Sequence, residues 1–324
     1  GETAAENTLY SVLDHRRAAL SSKLEHDRVL VSAWLAGRSP PEIRELRWLF
    51  CSLQTFGITE TECLPAEIAI DEFTMADGVI DMLHSLVAGW QVDSEILLTR
   101  AHFHSNETHH IPLHAFDPFM PKRQLMSEIL GRSEPRIASS QGIAVGLYSP
   151  ELTAEEEAAM RAGVQTDSLA AHLERLSHQD FSNVFISDES GRRPLLCLAS
   201  EYEEIVASME TFKRRMRLDY DGFPSSSARF ILAESFALAV ADALGHGRPH
   251  EQFECMLDEL GKPLPPDFST PWERDSEVFC RVHAPTRNAC CAAVTAARAV
   301  FVLLYAADRS FTASPATKAA YALP

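Results

Sequence analysis

The strongest constraint on the fold is a pair of β-rich runs between Leu64 and Leu86. The first is Leu64-Pro65-Ala66-Glu67-Ile68-Ala69-Ile70-Asp71-Glu72-Phe73, and the second is Val79-Ile80-Asp81-Met82-Leu83-His84-Ser85-Leu86. Met75-Ala76-Asp77-Gly78 separates them. Two runs rich in Ile, Val, Leu and Phe around an Asp-Gly turn predict a β-hairpin. A turn centred between Met75 and Ala76 sets Glu67 opposite His84, and opposed side chains start about 5 Å apart at Cβ. A carboxylate and an imidazole then meet across one ladder. That pair is half of a metal site, and it is equally compatible with an ordinary cross-strand contact.

Around the hairpin the chain alternates elements. Residues 1–47 read as a helical arm broken at Ser39-Pro40-Pro41, and Trp48 to Phe56 as a further strand. Ala88 to Thr99 reads as loose structure leading into a histidine-rich loop. Strands are expected around Ile143-Ala144-Val145 and at Asn183 to Ser187. Helices are expected at Lys122 to Gly131, Thr153 to Ser177 (opened by the capping box Thr153 to Glu156), Pro194 to Arg215, Ser227 to Leu244, Pro249 to Leu260 and Thr286 to Ala307. Residues 309–324 read as a tail. Three antiparallel strands followed by helices and scattered strands predict an α/β layer fold.

The charge balance narrows the function. With 29 basic and 46 acidic residues the formal charge is −17, which excludes a nucleic-acid grip spread over the whole surface. The one dense basic run is Lys213-Arg214-Arg215-Met216-Arg217. It is the candidate RNA-phosphate contact, though cations at a helix C-terminus need no ligand to be favourable. No apolar run reaches bilayer-spanning length, and Gly1 to Asn7 does not read as a signal peptide. The seven scattered cysteines therefore read as reduced thiols, in cytosol or nucleus. His102, His104, His109, His110 and His114 invite a second metal site, but Glu107 is the one nearby carboxylate, and a polar surface loop with one or two histidines hydrogen-bonded inside is the preferred reading. No Ser-His-Asp motif or Gly-rich phosphate loop stands out.

Four blocks carry a resemblance. They are Leu64 to Ile70, Gly78-Val79-Ile80 with His84-Ser85, His104-Ser105-Asn106-Glu107-Thr108-His109-His110-Ile111-Pro112-Leu113, and Cys280-Arg281-Val282-His283 with Cys290-Cys291-Ala292-Ala293. Together they resemble the MAEL domain of the Maelstrom family, over 48–308. The resemblance implies an RNase H-like α/β fold of the DnaQ-H exonuclease type, a mixed sheet flanked by helices with helical additions. It also implies a monomer working with piRNA-pathway proteins on single-stranded RNA, in perinuclear germ granules of the cytoplasm and in the nucleus, without a membrane. The related exonucleases open with Asp-x-Glu on the first strand, where this chain has Ser52 and Gln54. Their middle acidic position falls near Arg192, and the last at Cys290 or Cys291. Such residues cannot cage two Mg²⁺ ions, so two-metal exonuclease chemistry is not expected; a single-strand endoribonuclease activity and a catalytically dead RNA- or protein-binding scaffold are the two expectations left. No catalytic residue is identified. The family's Glu-His-His-Cys motif maps to Glu67, His84, His283 and Cys291, a set that suits one structural Zn²⁺; Cys290 is the neighbouring competitor. Full-length relatives carry a basic HMG box ahead of the domain, and no such segment is seen here.

Overall fold

The computed structural model describes residues 2–87, 89–114, 120–134, 186–187, 191–260, 270, 282–283, 285 and 290–312. Among these, five strands form one mixed sheet. They are β1 (Trp48–Ile58), β2 (Cys63–Thr74), β3 (Gly78–Leu86), β4 (Leu195–Cys197) and β5 (Phe230–Leu232). The order is β3-β2-β1-β4-β5. The first three strands are antiparallel, and β4 and β5 join in parallel. The fold is the α/β arrangement expected, compatible with an RNase H-like domain.

The helices surround this sheet. They are α1 (Glu2–Leu35), α2 (Pro40–Glu45), α3 (Glu95–Phe103), α4 (Lys122–Ser133), α5 (Tyr202–Arg215), α6 (Ala233–Ala243), α7 (Phe253–Asp258) and α8 (Ala292–Ala307). Several expectations change. The helices expected from Pro194 and Ser227 each begin with a three-residue strand. Leu195-Leu196-Cys197 and Phe230-Ile231-Leu232 are buried throughout, and parallel strands covered on both faces lose the alternation that would reveal them. The helix expected from Pro249 shortens to α7. Ala88 to Thr99, expected to be loose, contains the start of α3. The strand around Ile143, the helix from Thr153 and the tail beyond residue 312 lie outside the described residues, as do most of 261–281; Ile186 and Ser187 are described and are not in a strand.

The hairpin forms, with a different register. Glu67 faces Leu86, and His84 faces Ala69, with an irregularity between Glu72 and Phe73. Glu67 and His84 are therefore diagonal neighbours rather than directly opposed. The slip is even, so both still project from one face of the sheet. The same face carries Trp48 and Phe73, which pack against Phe236 of α6 at ring-centroid distances of 4.8 and 6.0 Å.

The N-terminal arm is fastened to the parallel edge. Lys23 Nζ donates to the Phe230 carbonyl at 2.8 Å, and Ser235 Oγ donates to the Leu24 carbonyl at 2.7 Å. Asp27, 1% exposed, accepts the Leu232 N–H at 2.9 Å. Removing that acceptor strands a buried donor, which costs about 1–3 kcal/mol. Asp27→Ala should therefore lose that much stability in urea unfolding, and Asp27→Asn, which keeps an acceptor, clearly less. Equal midpoints for Asp27→Ala and the parent would show that the arm is not coupled to the sheet.

Candidate metal centre

Glu67 lies on the central part of β2 and is fully buried. A carboxylate in that position needs partners to offset its lost hydration, and four converge on it. His84 Nε2 on β3 lies 2.7 Å from Oε1. Cys291 Sγ donates to the same oxygen at 3.2 Å. The Ala292 N–H donates to Oε2 at 2.9 Å, so the carboxylate sits on the first turn of α8, where anions are favoured. His283 Nδ1 lies 3.6 Å from Oε1.

Donor atoms of Glu67, His283 and Cys291 lie within 4.8 Å of one another, a group that can hold a metal ion. Tetrahedral zinc with ordinary bond lengths separates its ligand atoms by about 3.3–3.8 Å, so modest contraction would close this set. His84 stands beside it through its bond to Glu67. The choice between the two adjacent thiols is resolved by position: Cys291 is fully buried and reaches Glu67, while Cys290 is half-buried.

The electrostatics tie the four groups together. Burial acts to raise the Glu67 pKa, but hydrogen bonds from His283 and His84 prevail and hold it well below the usual carboxylate range. Burial acts to lower the pKa of His84, but Cys291 and Glu67 push it up to about 9. The same balance takes His283 up to about 10.

The histidine-rich segment supports this centre instead of forming a second one. After α3 the chain passes through a π-helical turn at His104–Thr108, and His110 takes a left-handed φ of 59°. His109 is fully buried. Its Nδ1 accepts the Ile111 N–H at 3.0 Å, and its Nε2 donates to the Thr55 carbonyl at 3.0 Å. Burial lowers its pKa to about 4, so the ring is neutral. Its carbonyl accepts from His283 Nε2. His102, His110 and His114 are exposed, and among the described residues none joins a metal-holding group. Gly57 permits the close approach of this segment to β1: with φ +109°, a Cβ there would meet Arg100 Cβ at 2.8 Å and His104 at 3.3 Å.

The other expected positions fall as follows. Ser52 is buried on β1, and Gln54 stands opposite Glu67. Arg192 is not beside Ser52; it pairs with Glu134 at 3.0 Å, because it precedes the short β4 that the sequence concealed. The acid beside Ser52 is Glu201, whose oxygens accept from Ser52 Oγ at 3.3 and 3.2 Å. Burial pushes Glu201 up to about 8. The sequence gives little sign of it, since Glu201 is one acid in the run Glu201-Tyr202-Glu203-Glu204. In the basic run, Arg215 meets Glu62 at 2.8 Å through Nε and through Nη2. Arg214 reaches the same carboxylate at 3.2 Å, and Lys213 lies 3.6 Å from Asp221. Arg217 is exposed with a left-handed φ of 54°.

The raised histidine pKa values fix a pH dependence for protein kept free of metal. A folded-state pKa above the ordinary 6.5 means stability that is complete below about pH 6.5 and lost as pH rises through 9 to 10. In excess chelator, the melting temperature should fall between pH 7 and pH 10, and Glu67→Gln should flatten that fall. A chelated parent protein whose melting temperature holds level or rises over this range would contradict the ion-paired arrangement.

A family model described as Maelstrom, piRNA pathway germ-plasm component, matches residues 57–162. No curated protein matches the chain. The matched residues include Glu67, His84 and the histidine-rich turn, and the fold brings His283 and Cys291 to them from outside the match. Over residues 57–162 the chain is similar to the Maelstrom family.

Proposed function

We propose that this chain acts on single-stranded RNA as a single-strand endoribonuclease, with one Zn²⁺ held by Glu67, His84, His283 and Cys291 as a structural clamp. The Maelstrom match implies a piRNA-pathway role. The observation that supports the zinc reading is the convergence on Glu67 of His84 of β3 at 2.7 Å, Cys291 at the start of α8 at 3.2 Å, and His283 of the preceding segment at 3.6 Å. A zinc ion bound by all four would have a closed tetrahedral shell, which suits structure rather than water activation. Such an ion supplies folding energy, since coordination exists only when distant segments meet. Freshly purified protein should hold about one equivalent of zinc. His283→Ala and Cys291→Ser should lose most of that metal and several degrees of melting temperature. Less than half an equivalent in the parent, with unchanged melting of His283→Ala, would refute the site.

RNA cleavage on this reading does not run through two divalent ions, because Ser52 and Gln54 occupy first-strand positions where a hydroxyl and an amide replace carboxylates. Labelled single-stranded RNA should be cut internally at a rate that brief EDTA treatment leaves unchanged. Stepwise Mg²⁺-dependent release of mononucleotides would overturn it. The scaffold reading is favoured by one observation, the burial of Ser52 against Glu201, and RNA binding without any cleavage would select it.

Lys213, Arg214, Arg215 and Arg217 are the proposed phosphate contacts. Arg214 and Arg215 pair with Glu62 at a partly exposed position, and such surface pairs are weak enough for phosphate to displace. Glu62→Gln should therefore tighten RNA binding at low salt. Neutralising all four basic residues should weaken it and flatten its salt dependence. An unchanged salt slope in the fourfold variant would rule this surface out.

A further inference from the structure

We infer that His109 is a positioning residue for the metal centre: the π-helical turn before it exists to aim its backbone carbonyl at His283, leaving His283 Nδ1 as the coordinating atom. The inference rests on the zinc reading above and deepens it. A metal-bound histidine almost always donates its second ring N–H to a carbonyl or carboxylate, which fixes both tautomer and ring plane. Here His283 Nε2 is directed at the His109 carbonyl, while Nδ1 faces Glu67 Oε1 at 3.6 Å. With Nε2 committed as a donor, a neutral His283 has its free lone pair on Nδ1.

The placement of that carbonyl is over-determined. The His109 N–H bonds back to the His104 carbonyl at 3.0 Å, closing the wide turn. The His109 ring is fixed at both nitrogens, to Thr55 on β1 and to Ile111. Its face is covered by Phe56 at 5.4 Å in an edge contact and by His104 stacked at 6.3 Å. Ser105 Oγ donates to the Ile111 carbonyl at 2.7 Å, and the left-handed His110 turns the chain between the two. A ring so anchored holds its own peptide plane, and that plane holds His283. His109, with His104 stacked on it, thus serves the metal centre without binding the metal.

Two measurements test this on the whole chain. In zinc-loaded parent protein, long-range ¹⁵N–¹H NMR of the His283 ring should show a protonated Nε2 and a metal-bound Nδ1. In competition titrations against a chromophoric chelator, His109→Ala should bind zinc about 10–100-fold more weakly. Asp27→Ala serves as the control for general destabilisation; it lies far from the centre in the chain and should keep parental zinc affinity at a temperature where both variants are folded. Coordination through His283 Nε2, or zinc affinity of His109→Ala within twofold of the parent, would overturn the inference while leaving the zinc site standing. If His109→Ala does not fold, the NMR tautomer alone decides. A parent protein that takes up no zinc would overturn the zinc reading and this inference with it.

Discussion

Glu67 is the group on which the rest of the structure depends. A carboxylate with no exposed surface is costly inside a protein, and breaking a buried pair by removing one partner costs about 3–5 kcal/mol. The partners of Glu67 come from three parts of the chain: His84 from the adjacent strand, Cys291 and the Ala292 N–H from the start of α8, and His283 from the segment before it. Satisfying one acid therefore fixes the hairpin register, seats the start of α8 on the sheet, and draws the 282–283 segment inward. The histidine-rich turn follows, because His283 in turn reaches the carbonyl of His109. Hydrophobic burial supplies the bulk of the driving force, as along the wholly buried α8 segment Ala292 to Leu304. It does not by itself select this register over a neighbouring one; the acid does.

How much of this is legible in the sequence depends on whether the signal is local. The hairpin is legible because two long β-branched runs flank an Asp-Gly turn. Its register is displaced by one residue at the turn, where Phe73 faces Val79, and by one more at the irregularity between Glu72 and Phe73, and neither leaves a mark in a pattern of residue types. The functional consequence survived, since an even displacement preserves the face and leaves Glu67 and His84 within hydrogen-bond reach along the diagonal. β4 and β5 were concealed for a different reason: three buried residues with no polar alternation, each close before a helix, look like the first turn of that helix. Cys291 and His283 could be attached to Glu67 through the family resemblance alone, because no spacing rule reaches across more than two hundred residues of chain. The π-helical turn is invisible to any periodicity, so a polar loop with a histidine hydrogen-bonded inside was legible, but not that His109 is the buried one or that its carbonyl meets His283.

The residues around Ser52 and Glu67 show what this face of the sheet can and cannot hold. Ser52 and Gln54 share a face with Glu67, so the positions that would carry first-strand carboxylates and the candidate metal centre lie side by side. Glu201 stands over Ser52 from the start of α5. With its pKa raised to about 8, it is largely protonated at neutral pH. A neutral acid and a hydroxyl can exchange a hydrogen bond, but they do not supply the anionic oxygens that a pair of divalent ions requires. The negative charge on this face is concentrated at Glu67, where imidazoles and a thiol surround it. Soft and borderline donors favour zinc over magnesium, so this sheet face does not suit a pair of magnesium ions and does suit one zinc.

Charge pairing explains why the site is assembled before any ion arrives. In metal-free protein the carboxylate of Glu67 faces protons that raised pKa values keep on His84 and His283. Cys291 is a thiol that donates to Glu67, so one carboxylate and two imidazolium rings leave the metal-free cluster with one excess positive charge. Zinc bound by two neutral imidazoles, one thiolate and one carboxylate would be neutral. Exchange of the two imidazolium protons and the thiol proton for one divalent cation would therefore remove that excess charge, which low-dielectric surroundings favour. What changes is reach: hydrogen bonds of 2.7 to 3.2 Å give way to coordination bonds of about 2.0–2.3 Å. Because ligands must give up protons to bind, zinc affinity rises with pH over the range in which the ion-paired form weakens. Glu67 is satisfied by its hydrogen-bond partners without an ion and would remain satisfied with one.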